Sequence, residues 1–175
     1  MAEKLYIGNR EEEAYFFYRP NEPYGCFSNW YKSPFTVNGI RFNTAEQYIM
    51  YQKCIIFGDK EAAADMLAAN SPREQKAIGR RARGYIPKVW EGIRQMVAVR
   101  VLYAKFSQNE DLKKILLDTG NAYIVETTEN DRIWACGLSL DDNNRFYADR
   151  WHGQNILGFA LMGVRDILKR EHYIL

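Results

Sequence analysis

Hydrophobic positions near the N-terminus recur with the close spacing of β-strands. An aromatic run at 14–18 ends before Pro20, and residues 35–42 place apolar side chains on both sides of an Asn38-Gly39 pair. An Asn-Gly pair between apolar segments is typical of a tight β-hairpin. These segments predict a small antiparallel sheet.

From residue 45 the apolar spacing becomes helical, and several segments begin with strong capping signals. Thr44 with Gln47 three residues later forms a capping box that fixes the first turn of the first helix. Ser71-Pro72-Arg73-Glu74 combines an N-cap, a first-turn proline and a capping-box glutamate. The predicted helices cover 45–57, 60–69, the segment opened by Ser71, a long stretch from Pro87 to about Phe106, and 111–117.

The C-terminal third predicts two strands, a loop and a closing helix. The strands are predicted at 121–127 and 132–135, and residues 138–150, rich in Asp, Asn and Ser, predict a long surface loop of the kind used as a lid or binding loop. In the last helix the apolar stripe includes Ile167, with Arg165 outside it. Without repeats or linkers, the pattern predicts one α+β domain over 1–175, a compact, mostly helical domain around a small antiparallel sheet.

Composition agrees with a globular protein: 47% of the 175 residues are hydrophobic and 14% are aromatic. The N-terminus lacks a signal region, and the longest uncharged apolar run, 156–164, is too short for a bilayer, so we expect a cytoplasmic protein with no membrane association. Cys26, Cys54 and Cys136 are widely spaced and lack metal-ligand patterns. We therefore expect reduced thiols, no metal and no cofactor.

Positive charge is concentrated in one segment although the formal net charge is only +2. Arg73, Lys76, Arg80 and Arg83 follow one another at steps of three, four and three residues, which would align them on one helical face. One guanidinium group can bind two phosphate oxygens at once, so this cationic stripe would suit a phosphate. The alternative is a solvated basic face.

Glu46 and Lys53 lie seven residues apart, about two helical turns, and therefore project from the same face. A carboxyl and an amine could then face one cleft, whereas the alternative is a solvated helix face. Trp90, near the start of the long helix, either stacks on a flat heterocycle or covers the edge of the core, and Trp134 has the same two interpretations. Asp131 lies in a predicted turn, where aspartates commonly bond to their own backbone.

Several motifs occur together and in order. They are Tyr24-Gly25-Cys26-Phe27-Ser28-Asn29, Thr44-Ala45-Glu46-Gln47-Tyr48 with Gln52-Lys53, Gly79-Arg80, Trp90-Glu91, Val125-Glu126-Thr127-Thr128-Glu129-Asn130-Asp131 with Trp134, and Gly153-Gln154-Asn155-Ile156-Leu157-Gly158. In this arrangement the chain, from about residue 15 to 169, resembles the YbiA-like or NADAR family. The resemblance implies a compact α+β domain with N-glycosidase activity.

Known substrates of that family are ribose-phosphate amines of early riboflavin biosynthesis and, in other members, ADP-ribose attached to guanine. The resemblance implies that Glu46, Trp90 and Asp131 form the catalytic set and that Lys53 is a candidate Schiff-base nucleophile toward the ribose C1. A buried carboxyl could protonate the leaving nitrogen or activate water, and an amine of lowered pKa could trap the opened sugar as an imine. The sequence leaves open whether water or lysine attacks.

The resemblance also implies a set of substrate-binding residues. They are Phe27, Ser28, Asn29, Arg80, Trp134 and Asn155. The segment 27–29 would contact the ribose or base, Arg80 the phosphate and Asn155 a ribose hydroxyl. Structural alternatives are a core position for Phe27, turn caps for Ser28 and Asn29, and a helix cap for Asn155.

The chain departs from the family pattern at Cys136, because many relatives have Trp-Gly-Asp-Gly where this chain has Trp134-Ala135-Cys136-Gly137. It also has an insertion at 138–150, from which Asp141, Asp142 or Asp149 could replace the missing carboxylate.

Three functions remain open from the sequence. The first is an N-glycosidase that hydrolyses phosphorylated ribosylamines to a free aminopyrimidine and ribose 5-phosphate. The second is a hydrolase that removes ADP-ribose from guanine in DNA, for which the added basic residues would serve a larger partner. The third is a non-catalytic module that binds ADP-ribose or a nucleotide.

Overall fold

The structure, a computed structural model, describes residues 1–174. The helices are α1 (Ala45–Ile56), α2 (Lys60–Ala68), α3 (Pro72–Arg80), α4 (Pro87–Ser107), α5 (Glu110–Asp118) and α6 (Ile156–Ile174). The strands are β1 (Glu3–Ile7), β2 (Arg10–Phe17), β3 (Phe35–Val37), β4 (Ile40–Phe42) and β5 (Tyr123–Glu126). The predicted α+β class is confirmed. Over the described residues, no helix is long and apolar enough to cross a membrane.

The chain divides into two compact units. Residues 29–109 form the first, which we call the α1 unit, and residues 1–28 together with the chain from 110 onward form the second, which we call the α6 unit. The prediction of a single domain over 1–175 stays a prediction.

In the α1 unit, polar side chains fix the start of α1. Thr44 Oγ1 accepts the backbone N–H of Gln47 at 3.1 Å, so the predicted N-cap is confirmed. Gln47 Oε1 accepts the N–H of Asn43 at 2.8 Å, and its Nε2 donates to the Met66 carbonyl at 2.9 Å. Since Gln47 is buried, these bonds tie the first turn of α1 to the end of α2.

The predicted hairpin is also confirmed, because β3 and β4 pair antiparallel around Asn38-Gly39. The φ angles of these two residues, 50° and 77°, suit a type I′ turn. Phe42 contacts Tyr48 of α1 with ring centroids 5.1 Å apart, so the hairpin packs its aromatic face on α1.

In the α6 unit, β1 runs antiparallel to β2, while β5 runs parallel to β2. The sheet is therefore mixed, and not purely antiparallel as predicted, because β5 reaches β2 only after a long crossover of the chain. β1 was missed by the sequence analysis, since its charged and apolar residues give a weak alternation.

The strand predicted at 132–135 is wrong, because the backbone of this segment bends and pairs with no strand. Its carbonyl oxygens accept the backbone N–H groups that lead into α6: Arg132 from Gln154 at 3.0 Å and Ala135 from Asn155 at 3.0 Å, with two further bonds from the first residues of α6. These bonds satisfy donors that an isolated helix leaves open. The segment therefore serves as a main-chain cap for α6.

The insertion at 138–150 is a packed segment with two short 3₁₀ turns. Tyr147 stacks on Tyr6 of β1 with centroids 5.1 Å apart, and Trp151 Nε1 donates to the Arg145 carbonyl at 2.8 Å. Leu138 is buried with Phe16 in the core beside the sheet. The predicted surface loop is thus anchored along its length by apolar contacts that its polar composition concealed.

Arg165 corrects the predicted outer face of α6. It is buried, and its Nη1 donates to Thr119 Oγ1 at 2.8 Å and to the Ala122 carbonyl at 2.7 Å. Burial lowers the pKa of its guanidinium. Ile167, placed on the apolar stripe, is instead partly exposed. The error at Arg165 arises because the segment before β5 covers a face that periodicity alone assigns to solvent.

Gly158 brings α6 against β5. A methyl group added at Gly158 would overlap with the Ile124 carbonyl oxygen and approach the side chain of Asn155. Asn155 Nδ2 donates to that same carbonyl at 3.0 Å, and Asn155 Oδ1 accepts the Glu126 N–H at 3.0 Å. The helix and strand therefore meet at a distance that a larger residue would not permit.

We predict that Gly158→Ala destabilises the protein by about 2 kcal/mol or more, because overpacking forces α6 away from β5. Gly163→Ala is the matched control, since an added methyl group there meets no described atom within 4 Å. It should stabilise the protein by about 0.5–1 kcal/mol through helix propensity. Urea unfolding of both variants measures the difference, and equal midpoints would show that the α6–β5 contact is not tight.

Candidate active site

Glu46 and Lys53 of α1 are both buried, with exposed fractions of 7% and 9%. The alternative of a solvated helix face is therefore wrong for this pair. The Glu46 N–H donates to the Asn29 carbonyl at 2.9 Å, which attaches the segment after residue 28 to the first turn of α1. Buried carboxylates and amines are rare in proteins and commonly mark sites of function.

The pKa of the Lys53 amine is lowered, principally because burial disfavours its charged form. Electrostatic interactions with Cys54 and Glu46 raise this pKa, whereas the positive charge of Arg80 lowers it further. At neutral pH a lowered pKa increases the fraction of Lys53 that is an uncharged amine. Only the uncharged form is a nucleophile, so the lowered pKa is in the direction that favours attack by this amine.

Gly79 allows α3 to approach α1 and so places Arg80 near Lys53. A methyl group at Gly79 would overlap with the side chain of Met50 on α1, including its Cβ. Arg80 is the last residue of α3 and is exposed. A guanidinium in this position can lower the Lys53 pKa and still contact a ligand.

The predicted cationic stripe is wrong at its last member. Arg83 lies beyond the end of α3, and its Nη2 bonds to Asp59 Oδ1 and to Glu61 Oε2, both at 2.8 Å. Arg83 also holds the pKa of the Asp59 carboxyl well below its usual range. The stripe therefore consists of Arg73, Lys76 and Arg80, all on α3.

Trp90 lies in the first turn of α4 and is 6% exposed, so it covers the core in the way that the second interpretation of the sequence foresaw. Arg94, one turn further along α4, is also buried. The sequence analysis missed Arg94, although an arginine that interrupts the apolar positions 90, 97 and 101 was an available signal.

Asn29 carries an unsatisfied acceptor. The residue is 6% exposed, and its Oδ1 has no hydrogen-bond partner among the described residues. A buried acceptor without a donor costs about 1–3 kcal/mol, so Asn29 Oδ1 is suited to a donor supplied by a ligand. Its predicted binding role stays a prediction that this geometry supports.

The remaining predicted residues lie in the α6 unit, and several of them have structural partners there. Phe27 is fully buried and stacks on Tyr24, and Ser28 is buried beside it. Asp131 Oδ1 accepts the backbone N–H groups of Ile133 at 2.9 Å and Trp134 at 2.8 Å, which forms an Asx turn.

The side-chain amide of Asn155 makes two hydrogen bonds to the backbone of β5. Trp134 is half-buried. The catalytic role of Asp131 and the binding roles of Phe27, Ser28, Trp134 and Asn155 stay predictions.

Cys136 stands where many relatives have a carboxylate, and its thiol is fully buried. Burial raises the pKa of this thiol to about 11, so it is uncharged at neutral pH. Of the aspartates proposed as replacements, Asp142 accepts the Asn144 N–H at 2.8 Å and caps a 3₁₀ turn, while Asp141 and Asp149 are exposed. Their replacement role stays a prediction.

No group of three or more metal-ligating side chains lies together within the described part of the chain.

The NADAR domain family matches residues 16–169 of this chain. The chain belongs to the NADAR family. An N-glycosidase of Acanthamoeba polyphaga mimivirus is 36% identical over 145 residues, which are 80% of this chain and 85% of the relative. The N-glycosidase YbiA of Escherichia coli (strain K12) is 34% identical over 155 residues, which are 89% and 88% of the two chains.

The NMR structure of E. coli YbiA is similar to this fold with a TM-score of 0.76 and 32% identity, and the match covers 91% of this chain and 87% of that one. The predicted family and fold class are thus confirmed. The predicted enzyme class, a hydrolase of N-glycosyl compounds, is confirmed at the level of the NADAR family, several of whose members are named N-glycosidases.

The NADAR motifs divide into two kinds in this structure. Gly153 and Gly158 permit close backbone packing, since added methyl groups would overlap with the carbonyls of Ala135 and Ile124. Glu46 and Lys53 instead bring buried ionisable groups to α1. The first kind explains how the α6 unit is built, and the second identifies where chemistry is expected.

We predict opposite shifts of the Lys53 pKa in two variants. Arg80→Gln should raise the pKa of Lys53 because a nearby positive charge is removed, and Glu46→Gln should lower the pKa because a negative charge is removed. The measurement is the pH midpoint of Lys53 acetylation, read by peptide mass spectrometry. Arg81→Gln is the matched control and should leave the midpoint unchanged. Shifts of the same sign in both variants would contradict this electrostatic account.

Proposed function

We propose that this chain is an N-glycosidase that cleaves the C1–N bond of a phosphorylated ribosylamine of the riboflavin-biosynthesis type, releasing a free aminopyrimidine and ribose 5-phosphate. The observation that carries the proposal is the buried amine of Lys53, whose pKa is lowered, on the same helix as the buried carboxyl of Glu46. An uncharged amine and a carboxyl two turns apart are the groups that such a cleavage uses.

In the proposed reaction the uncharged Lys53 amine forms a bond to the ribose C1 while the C1–N bond to the base breaks. Glu46 gives a proton to the leaving nitrogen, which departs as a free amine. The carboxylate of Glu46 then takes a proton from the Lys53 nitrogen now bonded to C1 and passes it to the ring oxygen as the bond between C1 and that oxygen breaks, which opens the sugar and leaves a protonated imine. Water adds to C1 of this imine and the C1–Nζ bond breaks, releasing ribose 5-phosphate and the free Lys53 amine. Direct attack by water activated by Glu46 is the alternative route, with the same net products.

Three further groups of the α1 unit support a ribose-phosphate ligand. The exposed guanidinium of Arg80 can bind phosphate oxygens through two hydrogen bonds. The open acceptor of Asn29, its Oδ1, can accept a hydrogen bond from a ribose hydroxyl. Trp90 would act from its buried position by supporting the site, since little of its surface is accessible.

A second candidate function is removal of ADP-ribose from guanine in DNA. It is favoured by Lys76, whose Nζ lies 5.8 Å from the ring centroid of the partly exposed Trp30. Exposed aromatic rings beside cations bind single strands through stacking and charge. The third candidate is a module that binds ADP-ribose or a nucleotide without turnover. A cytoplasmic location also remains part of the proposal, with the buried thiols of Cys26, Cys54 and Cys136 unoxidised.

We predict that the wild-type protein releases free base from a ribosylaminopyrimidine phosphate and that Glu46→Gln reduces the rate by about 100-fold or more, because general acid catalysis is lost. Lys53→Met and Asp131→Asn should also lower the rate if the catalytic set is right. Products are measured by mass spectrometry, with an ADP-ribosylated guanine oligonucleotide tested in parallel.

Lys60→Met, an exposed lysine change on α2, is the control and should retain full activity. Release from the oligonucleotide alone would favour the second candidate, and ligand binding without any product would favour the third.

A further inference from the structure

The ring that lies against the Lys53 amine belongs to Tyr85. Lys53 Nζ is 4.0 Å from the centroid of this ring, so the amine lies directly against the ring. The ring of Phe57 meets it edge to face at 5.4 Å and 80°. Even with these two contacts, Tyr85 remains 40% exposed, so part of an aromatic surface beside the reactive amine is open to a ligand.

The segment that carries Tyr85 is held in place by Asp59. The backbone N–H of Arg83 donates to Asp59 Oδ2 at 2.8 Å, and its guanidinium bonds to Asp59 Oδ1 at the same distance. Asp59 Oδ1 also accepts the N–H of Ala62 at 3.2 Å, which caps α2. Gly84, with φ of +70°, turns the chain close to the Phe57 carbonyl. Tyr85 therefore has a fixed position, although it lies on a loop.

Trp90, the aromatic residue that the sequence offered for stacking, has too little exposed surface for that role. Tyr85 has the surface and the position. In a ribosyl substrate the heterocycle is bonded to the same C1 that Lys53 must reach. When C1 comes within bonding distance of Lys53 Nζ, the base attached to C1 lies beside that nitrogen and would stack on the part of the Tyr85 ring that the amine leaves uncovered.

We propose that Tyr85 is a specificity-determining residue that stacks on the planar nitrogen heterocycle of the substrate beside Lys53. The inference rests on the proposed function and deepens it, because it identifies the group that selects an aromatic leaving group. Stacking needs only the ring face, so the phenol hydroxyl is not required.

Two substrates separate stacking from a general effect on Lys53. Tyr85→Leu should lower kcat/KM by about tenfold or more for a ribosylaminopyrimidine phosphate, with most of the change in KM, because loss of base stacking has effects of that size. The same variant should leave 5-phosphoribosylamine, whose leaving group is ammonia, unchanged. Tyr85→Phe should retain the wild-type values for both. Equal losses for the two substrates in Tyr85→Leu would overturn the inference.

Binding can be tested without turnover through protection of Lys53 from acetylation. Guanosine 5′-monophosphate should protect Lys53 in the wild type and in Tyr85→Phe, but about tenfold more weakly in Tyr85→Leu. Ribose 5-phosphate, which lacks the base, should protect all three equally, and this also shows that Tyr85→Leu is folded. Val89→Ala, an exposed apolar change in the first turn of α4, is the control and should behave as wild type.

The two experiments distinguish failure of the Tyr85 inference from failure of the proposed glycosidase function. Base-dependent protection that needs Tyr85, without turnover of any ribosylamine, would support the stacking inference and remove the proposed glycosidase. Turnover with equal protection by guanosine 5′-monophosphate in wild type and Tyr85→Leu would support the glycosidase and overturn the role of Tyr85.

Discussion

The burial of an amine on α1 is the constraint on which the α1 unit depends. Lys53 is withdrawn from water, and the charge of Arg80 adds to the resulting depression of its pKa. An apolar residue would fill the same place without this cost, since removing an ammonium group from water is unfavourable. The surrounding structure maintains the arrangement: Gly79 lets α3 approach, and Gln47 fixes the start of the helix.

Structural and chemical roles are divided among the family motifs. The motif from Gly153 to Gly158 builds the contact between α6 and β5, and the side-chain amide of Asn155 both donates and accepts a hydrogen bond there. The Glu46 and Lys53 motif contributes buried ionisable groups, which packing alone does not require. A residue that recurs in a motif can therefore serve the fold, the chemistry or both, and its contacts distinguish these cases.

Local signals predicted much of this fold, whereas long-range contacts escaped them. The caps at Thr44 and Ser71 predicted where α1 and α3 begin, because their hydrogen bonds join residues three apart. The buried Arg165 and the bent segment at 132–135 depend on partners far along the chain. In the candidate site, helical spacing placed Glu46 and Lys53 on one face. Tyr85 was missed, since its contact with Lys53 depends on a loop held by Asp59.

The central proposal is that the Lys53 amine, whose pKa burial lowers, attacks the ribose C1, and imine trapping tests it most directly. The protein is incubated with ribose 5-phosphate, the imine is reduced with borohydride, and the modified peptide is identified by mass spectrometry. The account predicts a stable adduct on Lys53 at neutral pH, formed before any adduct on the exposed lysines. Modification of exposed lysines with Lys53 unmodified would contradict it and leave attack by water as the route.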